Sequence, residues 1–107
     1  MIQFAQTLRG GVLGKEEQLS EIFKALAHPT RVKIVEYLSD GEKCVKDIWQ
    51  ELGVPQPTVS QHINILKTAG IISYRKDGVK TCYRIEKPVV IKILQLLKEE
   101  VDNGSGD

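Results

Sequence analysis

The side chains of this sequence best suited to nucleophilic, redox or metal chemistry are Cys44, Cys82, His28 and His62. A structural metal site needs several such ligands at short, regular spacings, and neither the cysteines nor the histidines show a zinc-site pattern. Enzyme chemistry needs a nucleophile paired with a base, a phosphate-cradling loop or a metal cage. None is legible, so the chain reads as a non-enzyme without a cofactor. His28 precedes Pro29, where a helix begins, and His62 lies within a helical stretch. What remains is thiol chemistry. Cys44 stands between Lys43 and Lys46, close to a helix start, and both features favour the thiolate.

A second chemistry, hydrogen bonding to an extended polar ligand, is written between Pro55 and Ala69. Val59, Ile63 and Leu66 recur at helical spacing and point one way. The residues left over are Gln56, Thr58, Ser60, Gln61, Asn64, Lys67 and Thr68. A helix that meets only water favours Glu and Lys, whereas this one offers mostly uncharged donors and acceptors. Side-chain amides can read base edges in the major groove of double-stranded DNA, a task for Gln56, Gln61 and Asn64. Thr58 and Ser60, with the helix N-terminal amides, suit phosphates. Arg75, Lys76 and Lys80 suit contact with the DNA backbone or minor groove.

Those side chains need a frame. Residues 1–15 carry Ile2, Phe4, Leu8, Val12 and Leu13 broken by glycines, and read as a loosely ordered arm that docks on a partner subunit. From Glu16, residues Leu19, Ile22, Phe23 and Leu26 form one apolar helical stripe. Ala27-His28-Pro29 ends that helix and starts another, because proline fits a first turn and not an interior. The second helix turns Val32, Val35 and Leu38 inward and stops at Asp40-Gly41. A third, about Val45 to Leu52, buries Val45, Ile48, Trp49 and Leu52, and Gly53 follows as a left-handed cap. The fourth is the polar helix, about Gln56 to Ala69.

The period then changes from helical to alternating. Ile71 to Lys76 and Val79 to Ile85 flank Asp77-Gly78, a strong hairpin signal. A turn there predicts pairs of Lys76 with Val79, Tyr74 with Thr81 and Ile72 with Tyr83. Ile72, Tyr74, Tyr83 and Ile85 then share one face, and Arg75, Lys80, Cys82 and Arg84 share the other. Pro88 opens a last helix that is apolar nearly all round, from Val89 to Val101. Such a helix is buried on more than one side, and the simplest second partner is another copy of the chain. Residues 103–107 read as a flexible tail, leaving 16–102 as the folded domain. The order of elements is that of a winged helix-turn-helix: mainly α, about five helices, with a β-hairpin wing.

Bulk properties agree. The 107 residues, 41% hydrophobic and 27% charged, make one globular domain. The net charge of +1 is unremarkable, but its distribution is uneven. Residues 54–87 carry +4, against −1 over residues 1–53 and −2 over residues 88–107. No apolar run reaches the roughly 18 to 20 residues that span a bilayer, and no leader pattern opens the chain. The expectation is a cytoplasmic protein that meets no membrane.

Four segments carry a family resemblance. Ala27-His28-Pro29-Thr30-Arg31, Cys44-Val45-Lys46-Asp47-Ile48, Pro57-Thr58-Val59-Ser60-Gln61-His62-Ile63 and Ala69-Gly70-Ile71-Ile72 resemble the arsenic-repressor (ArsR/SmtB-type) transcriptional regulators in order and spacing. The resemblance runs from about Leu19 to Leu97. It implies a homodimeric repressor joined through its first and last helices, which binds an imperfect inverted-repeat operator. The alternative from another class is a winged-helix module that binds protein and has lost DNA contact. Pro55 departs from the family pattern, standing where many members have a helix-capping serine. The lost cap costs about 1 kcal/mol. His62 matches a histidine common in the family, either packed within the fold or reading a base.

Most such regulators release DNA when a metal binds, and the ligand sets implied by the resemblance are incomplete here. Lys46 replaces the second cysteine of a Cys-x-Cys pair. Cys44 with Asp47 matches half of another site, whose partners would come from an N-terminal arm that here holds no Cys, His or Asp. A further site implied by the resemblance needs Asp and His on the last helix, and residues 86–101 hold no histidine. A full transition-metal site is therefore not expected. The segment before the third helix often runs against the second wing strand in winged helices, which would bring Cys44 and Cys82 within disulfide reach. Two readings stand: a thiol switch that alters operator affinity, or a small buried hydrophobe and a neutral surface residue.

Overall fold

The computed structural model describes residues 14–105. The helices are α1 (Lys15–Leu26), α2 (Pro29–Leu38), α3 (Val45–Leu52), α4 (Gln56–Thr68) and α5 (Pro88–Ser105). Three strands, β1 (Lys43–Cys44), β2 (Ile72–Asp77) and β3 (Lys80–Ile85), form an antiparallel sheet in the order β1-β3-β2. The expected fold class is thus observed: five helices and a hairpin wing. The expected N-terminal arm lies almost wholly outside the described residues. α5 runs on through Asn103 and Gly104 to Ser105, past the expected boundary at residue 102.

Local chemistry sets the element ends. His28 is extended, and its Nδ1 accepts the Thr30 N–H at 3.1 Å, so an imidazole caps α2 with Pro29 in the first turn. Gly53 ends α3 at φ 67°, with the Gly53 and Val54 N–H groups both donating to the Trp49 carbonyl. A Cβ there would meet nothing within 4 Å, so the need for glycine is conformational rather than spatial. α4 begins without a side-chain cap, as its proline implies. The Pro55 carbonyl instead accepts from Thr58 and Val59, each at 3.1 Å.

The core sits where α2, α3 and α4 converge on the root of the wing. Ile34, Val35, Leu38, Ile48, Val59, Ile63, Leu66, Ile71, Ile72 and Val90 are buried. In α2 the inward residues are Ile34, Val35 and Leu38; Val32 is only half-buried, because the helix packs on α3 and α4 together and presents two adjacent rows. In α3, Ile48 alone is fully buried, while Val45, Trp49 and Leu52 line the rim.

The hairpin register differs from the expectation by two residues. Asp77 pairs with Lys80, Lys76 with Thr81, Tyr74 with Tyr83 and Ile72 with Ile85, so the turn is Gly78-Val79. A turn at Asp77-Gly78 of the favoured type would need positive φ at both residues, and no non-glycine residue among those described has it. Gly78, at φ 65°, instead takes the first central position. The observed register also pairs like with like, Ile on Ile at the buried root and Tyr on Tyr above it. A two-residue slip preserves side-chain alternation, so the expected faces hold. Cys82, expected on the polar face, is nevertheless only 4% exposed. It lies on the central strand, with Cys44 and Arg75 as its cross-strand neighbours.

Candidate nucleic-acid interface

α3, the turn at residues 53–55 and α4 make the helix-turn-helix. Ile48 of α3 and Val59, Ile63 and Leu66 of α4 are buried on the inner side of this pair. With those three anchors inward, Gln56, Thr58, Ser60, Gln61 and Asn64 are all exposed along the outer side of α4. Lys67 is half-buried, its ammonium 4.8 Å from the centre of the Tyr74 ring. This cation–π pair ties the end of α4 to the wing. Ile65 is the large apolar side chain that α4 leaves partly exposed.

The wing carries its cations differently from one another. Lys76 and Lys80 are exposed, and among the described residues neither ammonium meets a carboxylate. Arg75 is engaged. Its Nε and Nη2 donate to the two Glu42 carboxylate oxygens, each at 2.9 Å, and Nη1 lies 3.8 Å from Asp77. The forked pair holds the Glu42 carboxyl below its ordinary range and raises the guanidinium further. Glu42 precedes β1, so this clamp spans the sheet from its short strand to β2. Arg84 approaches Glu86 at 3.9 Å, and Glu86 accepts from Ser73 at 2.8 Å.

Behind α4, three residues seat it on α2. Arg31 donates from Nε to the Ala25 carbonyl at 2.7 Å and from Nη1 towards His62 Nδ1 at 3.2 Å. The His62 ring lies 4.3 Å, centre to centre, from that of His28. Burial, then the His28 and Arg31 charges, lower the His62 pKa below the usual imidazole value. A neutral ring accepting at Nδ1 is what Arg31 requires. His62 therefore stands as a packed residue on the inner edge of α4. Sequence patterns place Tyr74 on one face of the wing and Arg31 in a family motif, but predict none of the Arg31–His62, Arg75–Glu42 and Lys67–Tyr74 contacts. These join residues 31, 33 and 7 apart on different elements, which periodicity within one element does not report.

Cys44 is half-buried at the N-cap of α3 and faces Cys82 directly across β1 and β3. Lys43, expected to favour the Cys44 thiolate, is occupied elsewhere: its ammonium bonds Asp40 and lies over the Tyr37 ring. Among the described residues no three His, Cys, Asp or Glu side chains converge as a metal site, and no helix is long and apolar enough to cross a membrane.

Comparison with known proteins adds a lineage. The family model described as bacterial regulatory protein, arsR family, matches residues 28–74, which run from the α2 cap into β2. An uncharacterized HTH-type transcriptional regulator of Methanocaldococcus jannaschii is 46% identical over 86 residues, covering 79% of this chain and 97% of that protein. The transcriptional repressor SdpR of Bacillus subtilis is 30% identical over 89 residues, covering 83% of this chain and 99% of SdpR. Among solved structures, the homodimeric winged helix-turn-helix DNA-binding domain of a possible ArsR-family transcriptional regulator from Mycobacterium bovis superposes with a TM-score of 0.75 at 27% identity. It covers 90% of this chain, which in turn covers 93% of that domain.

Proposed function

This chain belongs to the arsR family of bacterial regulatory proteins, DNA-binding transcriptional regulators and not enzymes, and from that premise we propose that it is a cytoplasmic homodimeric repressor of an inverted-repeat operator. α4 enters the major groove, with Gln56, Gln61 and Asn64 at base edges and Thr58, Ser60 and Lys67 at phosphates. The wing follows the backbone with Lys76 and Lys80, and with Arg75 when Glu42 releases it.

One observation carries this reading. The outward side of α4 offers a row of exposed, uncharged hydrogen-bonding side chains, while the opposite side is anchored by three buried residues. A rigid helix presenting short amides is what base reading needs, whereas a protein-docking helix would present an apolar row. The dimer is supported by apolar exposure elsewhere. α1 leaves Leu19 and Phe23 exposed, and α5 leaves Val89, Leu96, Leu97 and Val101 exposed. Two copies joined there would place two α4 helices on successive turns of a duplex.

The test is fluorescence anisotropy on a labelled inverted-repeat fragment from upstream of the gene, at two salt concentrations. Tight binding that weakens steeply with salt is expected. Salt-indifferent binding, or none to any upstream fragment, would favour the protein-docking alternative.

A further inference from the structure

Cys44 and Cys82 are Cα partners in the antiparallel β1–β3 ladder. Directly opposed residues in such a ladder lie about 4.5 or 5.5 Å apart at Cα, inside the roughly 4.4–6.8 Å that a disulfide spans. The Cys44 thiol opposite it, then burial, push the Cys82 thiol up to about 11. Their exposure differs. Cys82 is sealed on the central strand, whereas Cys44 is half-open at the edge. One sulfur can be reached and the other waits behind it.

We propose that Cys44 and Cys82 form an oxidisable dithiol whose closure to an intramolecular disulfide lowers operator affinity. This rests on the reading that α4 and the wing hold DNA. A hydroperoxide, ROOH, is attacked by the Cys44 thiolate; the O–O bond breaks, Cys44 becomes a sulfenic acid, and ROH leaves once the alkoxide takes up a proton. The Cys82 sulfur then displaces the sulfenic oxygen, forming S–S and releasing water with the Cys82 proton. The two electrons given up by the thiols reduce the O–O bond, and a small-molecule thiol reverses the step by exchange.

The sheet converts that bond into movement. Opposed Cβ atoms in a ladder lie about 4.5–5.5 Å apart, and in a disulfide about 3.8 Å. Closure therefore draws Cys44 and Cys82 together by roughly 1 Å. β1 is two residues long and Cys44 is the N-cap of α3, so the yielding partner is the start of the helix-turn-helix. The Arg75–Glu42 clamp crosses the same row, Arg75 being the other neighbour of Cys82 and Glu42 lying two residues before Cys44. Oxidation thus changes the angle between wing and α4, the two elements that must fit one stretch of DNA together.

The full chain is treated with hydrogen peroxide, the mass and the linked peptides are read, and the same samples are titrated against the upstream fragment. Expected are the loss of two hydrogens per chain, a Cys44–Cys82 peptide, and about tenfold weaker binding, within the usual range of allosteric coupling, restored by a dithiol reductant. Cys44→Ser should abolish both effects. Cys82→Ala provides a second check if serine is not tolerated at position 44, with circular dichroism confirming its fold. Cross-links between chains only, sulfinic acid without an S–S bond, or an internal disulfide with unchanged affinity would each overturn the proposal. If the reduced chain binds no upstream fragment, the operator reading fails instead, and the claimed effect on affinity fails with it; the peptide map still decides whether the disulfide forms.

Discussion

Arg31 of α2 reaches His62 of α4 with Nη1 3.2 Å from Nδ1, and so couples the seating of α4 to the protonation of one imidazole. The guanidinium can only donate, so the ring must accept. Protonation at Nδ1 would set two donors against each other, beside a second ring 4.3 Å away.

Stability should therefore depend on pH in the range where imidazoles titrate. The His62 pKa is lowered from 6.5 in the fold, so the unfolded chain binds the proton first. The contribution is complete above 6.5 and is lost as pH falls from there through the lowered folded value. Thermal unfolding at about pH 7.5 and about pH 5.5, above the main carboxylate range, reads this directly. The wild type should melt lower at the acid value, and His62→Gln should show a smaller difference. An equal drop in both would place the effect elsewhere.

Asn64 and Gln61 are predicted to carry sequence information. Asn64→Ala or Gln61→Ala should leave the melting temperature nearly unchanged, because both side chains are exposed. Discrimination between the operator and a mismatched site should fall by about 1–3 kcal/mol for each bidentate hydrogen-bond pair removed. Competition titrations with single-base operator variants measure it, and equal weakening on every sequence would reassign the residue to the backbone.

Lys76 and Lys80 should behave in the opposite way. Removing one phosphate-binding ammonium lowers the slope of log affinity against log salt by about 1, with all sequences affected alike. Lys76→Ala and Lys80→Ala, titrated at several salt concentrations, should show that change and an intact preference for the operator.

How much of this could be read from residues alone depends on the range of each interaction. Periodicity locates α3 and α4 and their anchors Ile48, Val59, Ile63 and Leu66, because burial of one helical face is a local pattern. The faces of the wing are legible for the same reason, and its register is not. Alternation is unchanged by a two-residue slip, so only the turn geometry at Gly78 and the Ile72–Ile85 and Tyr74–Tyr83 pairs could decide it. The thiol pair is legible in the path of the chain before α3, but the burial of Cys82 is not, since a two-residue β1 is too short to carry a pattern. The Arg75–Glu42 clamp joins residues 33 apart, and opposite charges at that distance look like any others on a surface.

That clamp has a consequence for DNA binding. Arg75 spends its forked donors on Glu42, so it is not available to phosphate in this state. Solvent screens a surface pair, but a forked Arg–carboxylate contact contributes more than most, so Glu42→Gln should still fold, with a small loss of melting temperature. It should bind DNA of any sequence more tightly, with a steeper salt dependence, as the freed guanidinium joins Lys76 and Lys80. A shallower slope would mean that the clamp positions the wing rather than restraining it.

The exposed apolar side chains of α1 and α5 bear on assembly. Leu96 is 67% exposed and Phe23 56%, on helices whose other sides already contribute Leu26 and Val90 to the core. A large apolar side chain left in water forgoes about 1.5–3 kcal/mol of burial, and α1 and α5 together carry several. A partner copy that covers them recovers this, and a charge placed there opposes it. Leu96→Glu should thus leave the helical content and the single-chain core intact while shifting sedimentation from dimer to monomer. Operator affinity should fall much further than Asn64→Ala lowers it, because a whole half-site is given up rather than one base. A Leu96→Glu protein that remains dimeric would place the subunit interface outside this part of α5. One that turns monomeric yet binds a full inverted repeat as tightly as wild type would show that the two half-sites are occupied independently.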